Sequence, residues 1–138
     1  MNKEEIRAFI TQNPFFCLAT VEDGKPRVRT IMLFRVEEDG ILFHTGKNKD
    51  LYRQLLDHPE VELCFFTSNK PFQVRVTGIA ELVDDLELKK EIVENREFLR
   101  PWVESEGYDP LAPFRVRDCI ATVWTMDLNF APKKYVRL

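Results

Sequence analysis

Between Phe43 and Asp50 the chain reads FHTGKNKD. A β-prone apolar run ends there, a glycine turns the backbone, and a helical pattern begins near Asn48, a residue type that caps helices well. Lys47 and Lys49 fall at or beside the first helical turn, where each cation opposes the helix dipole at a cost of about 0.3–1 kcal/mol. A phosphate bound at that turn reverses the sign, because it accepts backbone N–H groups and pairs with the lysines. The same residues also read as a solvated loop, since a Gly-Lys pair without P-loop spacing carries little specificity.

Three further positions have chemistry to offer. Arg29, beside Arg27 and Thr30, shares a strand face with Ile31 and Leu33, and a charge in apolar company needs a partner. That partner is either an anionic ligand or a carboxylate elsewhere in the fold. Gln73 lies on a polar strand face with Arg75 and Thr77. Its carboxamide both donates and accepts, which suits the edge of a heteroaromatic ring as well as it suits water. Trp124, in IATVWTMD, can stack on a ring, fill a subunit interface or sit in the core. His44 and His58 lack the spacing of a zinc site, and nothing resembles a nucleophile elbow, so no metal is expected and no acid, base or nucleophile stands out.

These residues have to be held by elements that the periodicity outlines. Ile6, Phe9 and Ile10 make a short amphipathic helix over 3–12, stopped before Pro14. Strands are expected at 15–21, 26–36, 41–45, 60–67, 72–83 and 115–127, with Asp23-Gly24 and Asp39-Gly40 turning the first three into a meander. Gly78 inside the fifth strand suggests a bulge. Helices are expected over 48–58 and 85–99, and residues 100–114, with Pro101, Pro110 and Pro113, read as an irregular connection. Six long strands leave open edges unless the sheet closes on itself. The expected architecture is therefore mainly β: a small six-stranded antiparallel barrel with accessory helices, spanning residues 1–138 as one domain.

Composition agrees with a packed core and narrows the partners. Apolar residues make up 44% and charged residues 31% of the 138, with net charge −3, so disorder and a nucleic-acid coat are both disfavoured. No apolar run approaches the roughly 18 residues of a membrane span, and the charged opening Met1–Glu5 has no secretion-signal pattern. Cys17, Cys64 and Cys119 are an odd number and far apart, which fits a reducing cytoplasm.

The segments FCLATVEDGKPRVRTI, LFHTGKNKDLYRQLLDHPEVELCFF and FQVRVTGIAELV, in that order and spacing, resemble the pyridoxamine 5'-phosphate oxidase-like, FMN-binding split-barrel family. The resemblance runs from about Pro14 to Met126 and is nearest to short, nitroimidazole-resistance-type members. It implies a split barrel and a homodimer with FMN between subunits. It places Arg29, Thr30 and Ile31 beside the flavin, matches His44-Thr45 to the family's aromatic-Thr pair, gives Lys47, Asn48 and Lys49 the phosphate, and matches Gln73 to the family's ring-side glutamine. Trp124 joins these candidates on its own chemistry, as a group able to stack on the ring. The position where true oxidases carry a lysine is Phe34, and the closing KKYVRL does not match their substrate-binding arginine and histidine.

The function expected from this is a cytoplasmic FMN flavoprotein that moves electrons from reduced nicotinamide to a small acceptor, a quinone or nitro compound. Two other uses of the same fold stand beside it: a flavin carrier or sensor without turnover, and a haem-handling protein.

Overall fold

A computed structural model describes residues 1–138. The chain runs α1 (Lys3–Gln12), β1 (Phe15–Glu22), β2 (Lys25–Met32), β3 (Arg35–Glu37), β4 (Gly40–Gly46), α2 (Asp50–Asp57), β5 (Glu60–Thr67), β6 (Phe72–Leu82), α3 (Leu86–Asn95), α4 (Arg100–Glu106), β7 (Leu111–Thr125) and β8 (Val136–Arg137). All strand pairs are antiparallel, in the order β2-β1-β5-β6-β7-β4-β3, with β8 on β7. The fold is mainly β and of the split-barrel type. It has eight strands rather than six, and the hydrogen-bonded path is open.

The opening lies within the run expected as one strand over 26–36. Leu33 N donates to Pro14 O beside β1 at 2.7 Å, and the next residue, Phe34 N, donates to Leu42 O on β4 at 2.8 Å. The chain thus leaves one sheet edge and joins the other within two residues. The two ends of the path are connected covalently, and no ladder joins them. That partner switch splits β2 from β3.

β6 and β7 form the spine. Thr77 pairs with Ile120 and Ile79 with Arg117, so one residue of β6 faces two of β7, a bulge at Gly78 as expected. A Cβ on Gly78 would meet Val116 Cγ1 at 2.5 Å and Arg117 O at 2.8 Å, so only glycine lets the strands approach this closely. β7 turns at Asp118, which has φ 54°. Inside the barrel Phe16, Phe43, Phe65 and Phe114 are fully buried; Phe16 and Phe65 ring centroids lie 4.8 Å apart and those of Phe43 and Phe114 5.9 Å. Ile6 and Ile10 of α1 plug the barrel, with Asn2 and Glu5 forming a capping box at its start.

The helix expected over 85–99 ends at Asn95, and the stretch expected to be irregular holds α4, with Pro101 in its first turn where its missing N–H is not needed. β7 begins at Leu111, four residues earlier than expected. Ile92, Val93 and Leu111 form a second small core, with Phe34, Trp102 and Tyr108 packed on it. No helix is long and apolar enough to cross a membrane.

Candidate functional site

The residues singled out above separate into two groups at opposite ends of β7. His44 pairs with Pro113 and Gly46 with Leu111, at the strand's start. Gln73 pairs with Trp124, near its finish. Pro113 and Trp124 are eleven residue steps apart on one strand, at most about 36 Å at roughly 3.3 Å per residue.

At the first end, α2 starts at Asp50, two residues later than expected. Its N-cap is Lys49, in extended conformation and without a side-chain capping bond, so Asn48 is not the cap. Asn48 instead folds back over Gly46, where an added Cβ would meet its Oδ1 at 2.7 Å. The first N–H groups of α2 therefore have no side-chain acceptor, as a helix end awaiting an anion would have. Asp50 places a carboxylate in the same turn. Lys47 is not free: its Nζ donates to Asp84 Oδ2 at 3.0 Å. Asp84 also pairs with Lys89, which is only 3% exposed. The two lysines hold the Asp84 carboxyl below the usual carboxylate range. His44 is held down to about 4, first by burial and then by the nearby charges of Arg96 and Lys49. It is a neutral imidazole at pH 7.

Arg29 is inward-facing, as alternation requires, and its partners within the chain are neutral oxygens rather than a carboxylate. Its guanidinium donates to Leu18 O at 3.2 Å, Thr20 Oγ1 at 2.7 Å and Gln54 Oε1 at 2.5 Å. Thr20 Oγ1 also donates to Gln54 Oε1, at 2.6 Å, and Gln54 Nε2 donates to Glu22 Oε2 at 3.2 Å. Gln54 is 4% exposed. This network locks β2 and β1 to α2. Partial burial lowers the Arg29 pKa, with Asp50 and Glu22 opposing. Thr30 points to the other face and is exposed, while Ile31 packs on the core and Thr45 is buried. Two guanidiniums approach the Phe34 ring, Arg35 at 5.3 Å and Arg96 at 5.4 Å from its centroid. Sequence reasoning missed Gln54, Lys89 and Arg96.

At the other end, Gln73 and Trp124 line a groove of about 770 Å³. Trp124 is half-buried on the outer sheet face rather than in the core, and its Nε1 donates to Asn129 Oδ1 at 3.0 Å. The register carries that outer face across the sheet from Trp124 through Gln73 and Phe66 of β5 to Phe15 and Met32. It also holds Thr30, the facing Cys17–Cys64 pair and Val28. Phe15 is 58% and Val28 70% exposed. The next rows of the same face carry Arg75, paired with Glu62 at 2.9 Å, and Thr122, so the exposed apolar strip is the row of Phe66, Phe15 and Met32 beside Trp124.

The family model described as "Pyridoxamine 5'-phosphate oxidase" matches residues 2–116. Among curated proteins, the pyridoxine/pyridoxamine 5'-phosphate oxidase of Rhizobium etli is 38% identical over 71 residues, which is 51% of this chain and 34% of that protein. The chain thus matches about a third of the length of such relatives. Among solved structures, a NimC/NimA-family protein from Clostridium acetobutylicum superimposes with TM-score 0.78 at 21% identity, covering 98% of this chain and 92% of that one. A pyridoxamine 5'-phosphate oxidase-related, FMN-binding protein from Nostoc punctiforme gives 0.63 at 17% identity, covering 96% and 88%. The haem storage protein HutZ of Vibrio cholerae gives 0.62 at 17% identity, covering 85% and 90%. By the extent of the family-model match, this chain belongs to the pyridoxamine 5'-phosphate oxidase family.

Proposed function

We propose that the protein is a homodimeric, cytoplasmic FMN-dependent oxidoreductase, in which each cofactor lies between the α2 end of one protomer and the Gln73–Trp124 groove of its partner. The observation that carries this is the separation of the two residue groups along β7, together with the exposed apolar row Phe66, Phe15 and Met32 that runs from the groove across the same sheet face. Neither group alone encloses a flavin. Dimerisation through that face supplies a second copy of each.

The residues fit the cofactor at both ends. The uncapped start of α2, with Lys49 and Asn48 beside it, offers N–H groups and one free cation to a phosphate. The Gln73 carboxamide has no partner within the chain, and the Trp124 indole is half-open; together they suit a heteroaromatic ring with polar edges. Arg29, tied to Thr20 and Gln54, fixes the strand that Ile31 and Thr30 occupy and adds a positive field, without donating freely. His44, neutral at working pH, contributes a shaped wall and no charge. Bound FMN would supply hydride and electron transfer; the protein supplies anchoring, orientation and polarity around the ring. The donor expected is a reduced nicotinamide and the acceptor a quinone or nitro compound.

The test is a spectrum and a mass. The protein should bind FMN in preference to riboflavin, run as a dimer by light scattering at micromolar concentration, and oxidise NAD(P)H when a quinone or nitro acceptor is added. Equal affinity for FMN and riboflavin removes the phosphate site. A Soret band in place of a flavin spectrum assigns the haem-handling role, and tight FMN binding without turnover assigns a carrier or sensor.

A further inference from the structure

Cys17 and Cys64, on the outer face of the sheet, take no part in the proposed cofactor site. They lie directly opposite each other on β1 and β5, and both are half-buried free thiols. Cys119 is a cysteine of a different kind. It is 3% exposed, its Sγ donates to Val116 O at 3.2 Å, and burial pushes its thiol up to about 11. Cys64 instead feels its neighbour: burial first, then the facing Cys17, holds its thiol above the ordinary value, against the pull of Arg75. Cys64 therefore rests as a thiol at pH 7, beside a second one.

Opposed residues on antiparallel strands hold their Cα atoms about 4.5 or 5.5 Å apart, according to their place in the hydrogen-bond ladder, and a disulfide spans about 4.4–6.8 Å. Either setting admits a bond. The Cβ atoms of such a pair start about 4.5–5.5 Å apart and finish at about 3.5–4.5 Å, so closure draws the strands together by roughly 1 Å. The β1–β5 ladder can give that much. Its register covers only Phe16 to Ala19, and beyond it the strands part around an open depression lined by Thr20, Val21, Glu60 and Val61. The rest of the cysteine row is polar: Thr30 lies on one side, and Arg75, ion-paired to Glu62, and Thr122 lie on the other. That is the composition of an interface rim and not of its apolar core, so a small reagent reaches the pair even where the neighbouring row of Phe66, Phe15 and Met32 is covered.

We propose that Cys17 and Cys64 form a dithiol site that closes to a disulfide by exchange with a low-molecular-weight disulfide of the glutathione type. The thiolate of one cysteine attacks a sulfur of the small disulfide, breaking its S–S bond and expelling one small thiol. The thiolate of the other cysteine then attacks the protein sulfur of the mixed disulfide and expels the second. In sum the two cysteines give up two protons and two electrons, and two small thiols take them up. The new bond encloses β2, β3, β4 and α2 and staples β1 to β5 within their short ladder. Constraint of the unfolded chain over that loop makes the oxidised form the more stable one. In a reducing compartment the dithiol is the resting form and the disulfide a transient response to oxidant. No step passes through a cofactor, so the proposal is independent of the flavin reading.

The experiment treats the reduced, folded full chain with glutathione disulfide, then unfolds it in the presence of an alkylating agent and reads the mass. The wild type should lose two of its three thiols and yield a peptide pair linked through Cys17 and Cys64. The oxidised protein should melt at a higher temperature than the reduced one, and amide exchange over Phe16–Ala19 should slow by about tenfold or more. Dithiothreitol should reverse both changes. Cys17→Ser and Cys64→Ser should each give no linked peptides and gain no melting temperature on treatment. Three free thiols after treatment, glutathione adducts on both cysteines without a link, or a link between two chains each overturns the proposal. So does a bond that forms only in denaturant, because the pairing is then not that of the native ladder. A linked pair that leaves melting and exchange unchanged overturns the staple.

Discussion

The two ends of β7 treat their polar groups differently. Around the start of α2 almost every charge is already spoken for: Lys47 by Asp84, Arg29 by Thr20 and Gln54, Arg96 by Leu33 O at 3.0 Å. Lys49, the Asp50 carboxylate and the first helix N–H groups remain. In the groove the balance is reversed, with Gln73, Lys133 and Lys134 lacking any partner within the chain. A cation near a cofactor site is therefore no evidence by itself that it binds the cofactor. Internal partners divide the side chains that build the site from those that are left to serve a ligand.

The sharpest way to break that division is to remove the hub of the internally satisfied end. Gln54→Leu keeps volume while leaving the Thr20 hydroxyl proton without an acceptor and stripping Arg29 of its shortest contact. A hydrogen bond to a charged group is worth about 1.5–3 kcal/mol and an unpaired buried hydroxyl costs about 1–3, so unfolding in urea should show a loss of about 3–4 kcal/mol in apo protein. If stability is unchanged, the network is incidental and Arg29 is available to a ligand after all.

Acid should act on the same end. The folded pKa of His44, about 4, lies below its ordinary 6.5. As pH falls from 6.5 toward 4 the unfolded chain takes up a proton that the native chain refuses, so stability drops with falling pH in that window. The full difference amounts to about 3 kcal/mol. Asp84 and Glu91, both held below the usual carboxylate range by cationic partners, add losses of the same sign at lower pH. His44→Phe should flatten the upper part of the profile between pH 6.5 and 4 and leave the acidic part. A wild-type profile already flat there would mean that the imidazole is solvated.

How much of this was legible beforehand differs between the two ends for the same reason. Gly78 was readable because a glycine in a long alternating strand has few other uses. The break between β2 and β3 was not, because residues 26–36 read as one β-prone run with no turn residue in it and the switch from Pro14 to Leu42 is made by a partner and not by a residue type. α4 is hidden by Pro101, which reads as a breaker in sequence and sits where a helix accepts it. Gln54 did leave a signal: it occupies the buried stripe of α2 between Leu51 and Leu55, and a carboxamide there has to bond to something. The pairing of Lys47 with Asp84, 37 residues away, left none.

Lys49 tests whether the α2 end binds anything at all. Lys49→Glu replaces a cation at the N-cap with a charge that the dipole favours by about 0.3–1 kcal/mol, so apo stability should hold or rise. FMN binding should fall by about 1.5–3 kcal/mol, one to two decades in Kd, as a charge-assisted contact with the phosphate turns repulsive. Lys47→Ala is the control. Its charge is already committed to Asp84, so it should weaken FMN binding less and lower stability more. The reverse ranking would exchange the roles of the two lysines.

The smallest effect expected is at Gln73, and it is the one that separates ring from phosphate. Gln73 lies across the strand from Trp124 on the open face, and its carboxamide is unpaired within the chain. Gln73→Ala should therefore leave apo stability within about 0.5 kcal/mol, as surface substitutions do. A hydrogen bond to the flavin ring that differs between its oxidised and reduced states is worth about 1 kcal/mol. For a two-electron couple that corresponds to about 20 mV. Potentiometric titration of the FMN-loaded variant should show a shift of that size, with FMN affinity changed less than threefold. A large loss of FMN affinity at unchanged potential would put the carboxamide at the phosphate end. The cofactor would then have to lie the other way round between the two protomers, with its phosphate in the lysine-edged groove and its ring at the start of α2.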